Sequence, residues 1–299
     1  MTHEAITLPS KLDLALLAVA TAAVSTSASL IAATAAPALA IAFWRNALAV
    51  AVLLPWSAVR RRAELARLDQ RSWRLSLLAG ALLAAHFATW VPSVTLTSVA
   101  SATALVATQP VWAALIARVR GRRVSRAVWL GIGVAVVGAV LLTGADLGLA
   151  GRAVVGDLLA VTGGVLAAAY VTAGGAVRAR VSTASYTTIC YSFCALLLLG
   201  TCLVGGQRLG GYEGETWLKL AALTVGAQLL GHSLVNVVLR STSPTVVSLA
   251  LLFEVPGAGL VAAVWLGQVP AGTAAPGLAL LLVGVALVVR AGARAIPVE

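Results

Sequence analysis

Apolar residues run along this chain in blocks of about twenty, and each block is closed by a short polar, arginine-rich or glycine-rich stretch. A hydrocarbon core about 30 Å thick is crossed by roughly 20 helical residues, and a helix satisfies its own backbone hydrogen bonds there. Each block therefore predicts a transmembrane helix. Ten are predicted, over 12–33, 38–59, 74–92, 98–118, 127–145, 156–176, 184–204, 216–239, 244–267 and 273–290. The connections are too short to hold a soluble domain.

Basic residues orient these helices, because Lys and Arg of short loops stay on the cytoplasmic side. Arg60, Arg61, Arg62, Arg67, Arg71 and Arg74 follow the second block, and Arg118, Arg120, Arg122, Arg123 and Arg126 follow the fourth. Arg178 and Arg180 follow the sixth, Arg240 the eighth, and Arg290 and Arg294 close the tenth. Sixteen basic residues thus fall on one side, against Arg152, Arg208 and Lys219 on the other. Ten helices with both termini cytoplasmic satisfy the rule.

Composition agrees: 60% of the 299 residues are hydrophobic and 10% charged, far below the roughly 25% charge of a soluble domain. The net charge of +11 does not indicate nucleic-acid binding, since the arginines sit in loops between apolar runs and not on one basic face. The first block follows Lys11 and ends near a cleavage-like ATAAPALA, but its membrane length exceeds the apolar core of a signal peptide, so it is expected to be a retained helix. Cys190, Cys194 and Cys202 lie in or beside one apolar block without a C-x-x-C or a neighbouring histidine, and are expected to be buried packing residues, not a disulfide or metal site.

A second pattern overlies the first. Shifting the chain by 146 residues aligns Gly80 with Gly226, His86 with His232, Ala104-Leu105 with Ala250-Leu251 and Pro110 with Pro256. It also aligns Gly121 with Gly267, Gly131 with Gly277, Val137 with Val283 and Gly138 with Gly284. Two of the three histidines in the chain match. Helices 3 to 5 therefore repeat as 8 to 10, and by extension residues 1–148 as residues 149–299. Five helices is an odd number, so the second copy enters the membrane from the opposite face. Inverted repeats of this kind are the recurring architecture of secondary transporters.

The segments AFWRNALAVAVLLPW (42–56), AAHFATWVPSVTLTSVASATALVATQPVWAALI (84–116), GHSLVNVVLR (231–240) and SPTVVSLALLFEVPGAGLVAAVWLGQ (243–268) resemble signature segments of EamA-type proteins of the drug/metabolite transporter superfamily. The resemblance covers nearly the whole chain in ten-helix order. It implies a multi-pass carrier of the bacterial inner membrane, usually an exporter of amino acids, metabolites or drugs, with a central cavity lined mainly by helices 1, 3, 4, 6, 8 and 9. It also implies dimer contacts through the terminal helices in some members. One departure stands out: the acid that commonly follows the glycine ending helices 4 and 9 is here Arg122 and Gln268.

Polar residues inside the apolar blocks are the candidate site. A carboxylate at mid-membrane costs roughly 2.5 to 3.5 kcal/mol, so Glu254 needs a compensating reason. It lies about 15 Å deep in helix 9, and Arg45 lies about 12 Å deep in helix 2, depths compatible with an ion pair near the midplane. Two readings stand for Arg45, a substrate contact or a charge kept by Glu254 or by snorkelling; for Glu254 a substrate or proton-coupling role is preferred. His86 and His232 carry Trp90 and Asn236 one turn onward, on the same faces. These four read either as cavity residues or as hydrogen-bonded helix contacts, and their duplication favours the cavity.

Thr108 and Gln109 precede Pro110, the counterpart of Pro256, so the site is asymmetric, with an acid on one side and a hydroxyl and amide on the other. Both prolines are expected to kink their helices and to free the carbonyls of Val106 and Leu252. Ser25, Thr26 and Ser27 in helix 1 and Tyr170 in helix 6 are further polar candidates. Trp44, Trp112 and Trp265 suit packing or interface anchoring as well as ligand stacking. Gly131, Ala135 and Gly138, with Gly277 and Gly284, permit close crossing of helices 5 and 10.

No Walker A sequence, D-D-x-x-D cluster or H-E-x-x-H occurs, so ATP hydrolysis, prenyl transfer and metalloprotease chemistry lack their groups. The expectation is an all-α integral membrane protein without cofactor or metal. It carries a small organic metabolite outward by alternating access, with proton coupling and a homodimer open. The alternatives are a lipid or nucleotide-sugar-like translocator, a non-transporting regulator and an intramembrane enzyme.

Overall fold

The computed structural model describes residues 10–121, 123–146, 151–178, 180–238, 250–269 and 272–294, with the side chains of 143–146, 232, 233, 236 and 292–294 outside the description. Every regular element among the described residues is helical. In order these are α1 (Lys11–Ser25), α2 (Ser27–Ala33), α3 (Ala38–Arg60), α4 (Arg62–Ala66), α5 (Gln70–Leu96), α6 (Val99–Val106), α7 (Gln109–Val119), α8 (Arg126–Asp146), α9 (Gly151–Arg178) and α10 (Thr183–Val204). Then follow α11 (Gly214–Leu223), a π-helical segment (Thr224–Gly231), α12 (His232–Val238), α13 (Glu254–Leu266) and α14 (Ala275–Arg294).

Among the described residues, seven helical stretches are long and apolar enough to cross a membrane: Lys11–Ala33, Ala38–Arg60, Gln70–Leu96, Val99–Val119, Gly151–Arg178, Thr183–Val204 and Gly272–Ala291. Arg126–Leu142 and Glu254–Leu266 are shorter apolar helices. The expected eighth span is interrupted by the π-segment, and the expected ninth begins with residues outside the description. Three breaks divide the blocks, one of them not foreseen and two beside the prolines expected to kink or break their helices. The first block divides at Thr26, whose hydroxyl donates to the Ala23 carbonyl. The fourth divides at Ala107-Thr108, immediately before Pro110, and the ninth turns at Leu252-Phe253, just before Glu254. The prolines thus sit in the first turn of a new half-helix, where a missing N–H costs nothing. The Leu252 carbonyl is not freed, because the Val255 N–H donates to it at 3.2 Å.

The two halves interleave. α1 packs on the π-segment and α12, and α5 packs along α9. Exchanging the halves turns one contact into the other. The pairs α3–α10 and α8–α14 map onto themselves under the same exchange, so the contacts carry the two-fold relation that the 146-residue echo announces.

Glycine sets how closely these pairs approach. A Cβ on Gly131 would lie 2.8 Å from the Val288 nitrogen, and one on Gly277 2.6 Å from the Leu142 nitrogen. Gly138 and Gly284 press equally hard against the Leu281 and Ala135 backbones. The expected glycine seam between the fifth and tenth helices is present, and it is used within the chain. On α9, Gly163 abuts Trp90 and Gly164 abuts the Thr108 hydroxyl. All three cysteines are free and buried, and no cluster of metal-ligating side chains occurs among the described residues.

At the arginine-rich end, Glu64 of α4 caps α10. Its carboxylate accepts from the Ser182 N–H (2.7 Å), the Ser182 hydroxyl (2.6 Å) and the Ser185 hydroxyl (2.8 Å). Burial pushes this carboxyl up, but the Ser182 and Ser185 hydrogen bonds and nearby Arg61 outweigh it and hold the group below the ordinary carboxylate range.

Candidate functional site

The helix breaks and the interleaving leave a central cavity of about 480 Å³, within the range of small-molecule sites. Both halves line it. From the first come Val24 and Ser27 on either side of the Thr26 break, Arg45 on α3, Leu83, His86, Phe87 and Trp90 on α5, and Val106, Ala107 and Gln109 at the α6–α7 break. From the second come Tyr170 and its neighbours on α9, Tyr186 and Tyr191 on α10, Gln228 in the π-segment, and Leu251 and Glu254 at the start of α13.

Of the candidates read from sequence, Glu254, His86, Trp90, Arg45, Gln109 and Tyr170 therefore meet around one space. Ser25 and Thr108 do not line it. The Ser25 hydroxyl donates to the Thr21 carbonyl (2.7 Å) and lies against Gly257. The Thr108 hydroxyl donates to the Leu105 carbonyl (2.6 Å) and accepts from the Trp112 indole (3.0 Å). Both are helix contacts, because a hydroxyl can reach the carbonyl one turn back more cheaply than it can wait for a ligand. The side chains of His232 and Asn236 lie outside the described residues.

Glu254 is the first residue of α13, so its carboxylate stands at a half-helix N-terminus where the helix dipole favours negative charge. Gln109 holds the corresponding place on α7. The compensation sought for this partly buried acid is thus local to its own helix, and Arg45 lines the same cavity. Arg45 and Glu254 make no ion-pair contact within 4.0 Å; among the described residues only Arg61–Glu64 and Lys219–Glu215 do.

Arg45 does not snorkel. It is 1% exposed, its Nε and Nη2 both donate to Gln228 Oε1 (3.0 and 2.6 Å), and its guanidinium lies 4.3 Å from the centre of the Phe87 ring. Its Nη1 is buried with no partner. Gln228 was not singled out in the sequence, where one amide in an apolar run carries no periodic signal. The π-segment widens the helix by one residue per turn at that point, a distortion frequent at functional sites. His86 Nδ1 lies 2.9 Å from the Gly163 carbonyl, so Nδ1 carries the proton. The imidazole stacks on Trp90 at 8° with centroids 5.9 Å apart. His86 thus serves both readings: it ties α5 to α9 and forms cavity wall.

The two ends of the cavity differ. Along α9 its wall runs from Ala167 to Arg178, about 16 Å at 1.5 Å per residue, toward the end where α4 meets α10. Toward the opposite end, in the first turns of α3 and α11, aromatics pack together: Trp44 packs edge-on to Trp217 (4.8 Å) and tilted to Phe43 (4.9 Å), and Tyr212 packs on Trp217 (5.6 Å). Trp44 Nε1 donates to the Leu209 carbonyl (2.9 Å), and Lys219 donates to the Ala33 carbonyl (2.9 Å). Gln268, at the position of the departure noted in sequence, accepts from the Val99 N–H (3.2 Å) and so joins the end of α13 to the start of α6. Arg122 lies outside the described residues.

Comparison with known proteins places this geometry in a wider set. The family model described as the EamA-like transporter family matches residues 11–144 and again 154–290. No curated protein matches the chain. A solved structure described only as a protein crystal structure shares the fold, with a TM-score of 0.63 and 21% identity over 92% of this chain and 96% of that one.

Proposed function

Since the chain belongs to the EamA-like transporter family, we propose that it is a ten-helix secondary carrier, in halves 1–148 and 149–299, that exports a small organic metabolite across a bacterial inner membrane by alternating access. Both termini are cytoplasmic, by the basic-residue asymmetry. The observation that carries the reading is the cavity itself. It is lined by both halves and gathers Arg45, His86 and Glu254, whose depths in their apolar blocks are compatible with the bilayer midplane. Its wall extends toward the arginine-rich end, and an aromatic cluster packs toward the other end. On this reading the structure is the inward-facing state. Exchange of conformations between the halves would open the Trp44–Trp217 end and close the Arg178 end.

Glu254 is the proposed coupling group, since a mid-membrane carboxylate without an ion pair is free to exchange its proton with the cavity. A comparison of metabolites in cells with and without the protein supplies the solute to test. Counterflow of that solute into proteoliposomes, with and without a pH gradient, then tests coupling. Gradient-stimulated transport that becomes insensitive to pH in Glu254→Gln is expected, and wild-type transport equal with and without the gradient overturns the coupling.

A further inference from the structure

We propose that Arg45 is the oxyanion subsite of the carrier and that its substrate is a small organic carboxylate with an apolar body. The inference rests on the carrier reading above and names the chemistry of its cargo.

Arg45 is a cation removed almost entirely from solvent, on the wall of the central cavity. Buried charge is retained only against a counter-charge, and a guanidinium offers two edges for one. One edge is taken by a neutral amide, Gln228 Oε1, which accepts from both Nε and Nη2. The face rests on Phe87. Among the described residues, the remaining donor, Nη1, is buried and unpartnered, and no carboxylate lies within 4.0 Å of the group. The site therefore holds a desolvated cation whose charge is met by a dipole and a ring. A bound carboxylate would supply the missing charge and acceptor together.

The same geometry limits the class. One free nitrogen and one guanidinium suit a monoanionic carboxylate better than a phosphate dianion, which needs several donors. Glu254 shares the cavity, so a second negative charge on the substrate would meet repulsion. The walls beside Arg45 are Phe87 and the stacked His86–Trp90 pair, which suit an apolar or aromatic body. Gln228 is a positioning residue. The π-segment carries its amide against Arg45, its Nε2 reaches Asn46 Oδ1 at 3.5 Å, and Asn46 in turn donates to the Ala42 carbonyl (2.9 Å). This chain fixes which edge of the guanidinium is left for the ligand.

The test uses three probes with one body and three head groups, 3-phenylpropionate, 3-phenylpropylamine and 3-phenylpropan-1-ol, titrated calorimetrically into the full-length protein in lipid nanodiscs. The carboxylate is expected to bind at least tenfold more tightly than the amine or the alcohol. Arg45→Gln removes that preference, and Arg45→Lys, which keeps the charge, retains part of it if the glutamine variant does not fold. Gln228→Leu weakens the carboxylate at least tenfold and leaves the alcohol unchanged. Gln228→Glu supplies an internal carboxylate and abolishes the preference. Glu254→Gln strengthens carboxylate binding.

Equal binding of the three probes, binding of none, or a carboxylate preference that survives in both Arg45 variants overturns the proposal. Failure of the carrier reading would look different: carboxylate binding lost with Arg45, but no counterflow of 3-phenylpropionate in proteoliposomes.

Discussion

Replacing Trp44 by alanine is expected to unlatch the aromatic end of the cavity. The substitution removes the indole hydrogen bond to the Leu209 carbonyl and the ring contacts with Trp217 and Phe43. An intramolecular hydrogen bond contributes about 1 kcal/mol net, and an aromatic pair about 0.5–1.5 kcal/mol. About 2 kcal/mol of closure would be lost, which moves a two-state equilibrium roughly 30-fold toward the outward-open form. A single cysteine at Ser29, a buried position on α2, in a background without Cys190, Cys194 and Cys202, reports this opening. α2 packs against α11, the helix that carries Trp217. A membrane-impermeant maleimide added outside should label Ser29→Cys roughly 30-fold faster when Trp44 is alanine. An unchanged rate in a folded Trp44→Ala protein would refute the reasoning, since the plug would then not hold that face shut.

Other outcomes follow from the same structure. Gly284→Val should force α14 away from the Ala135 backbone and lower the melting temperature by several degrees, corresponding to about 1–3 kcal/mol of overpacking; an unchanged melting curve would show that the seam is not tight. Glu64→Ala should lower the melting temperature at pH 7. Its folded pKa is depressed, so its contribution is present above its ordinary value near 4.5 and is lost as the pH falls through the folded value. The difference between variant and parent should therefore shrink as the pH falls from that ordinary value through the lowered folded one, and a difference that grows on acidification would invert the assignment. Gln268→Ala should lose the cap on Val99, costing about 1 kcal/mol, whereas Gln268→Glu should retain it, as read by thermal unfolding.

How much of this was visible in the sequence depended on whether the signal was periodic or solitary. Seven of the ten expected spans, the repeat and the glycine seam were legible because apolar length, a 146-residue echo and spaced glycines each sample many positions. Glu254, His86 and Arg45 were legible because a polar group in an apolar block is costly wherever it points. Facing was not legible at broken helices. The Thr26 break puts Ser27 and not Ser25 on the cavity, and the Ala107-Thr108 break turns Thr108 back on Leu105, changes of phase that a continuous helical wheel does not contain. Gln228 was missed because its meaning lies in a π-turn and in a partner 183 residues away. Tyr186 and Tyr191 were missed because the family resemblance implies a cavity lined mainly by helices 1, 3, 4, 6, 8 and 9, whereas α3 and α10 contribute wall as well.

A carrier passes its solute through the cavity between the halves, so obstructing that cavity should stop it. Gly175 lines that cavity, and a Cβ placed on it meets no atom within 4 Å, so Gly175→Trp sets an indole on the cavity wall with its Cβ in open space. Proteoliposomes loaded with a bacterial metabolite extract and sampled by mass spectrometry compare wild type, Gly175→Trp and protein-free vesicles. The account predicts at least one small organic solute released by the wild type and held at the protein-free level by Gly175→Trp; equal release from the variant and the wild type, or none above protein-free vesicles, would contradict it.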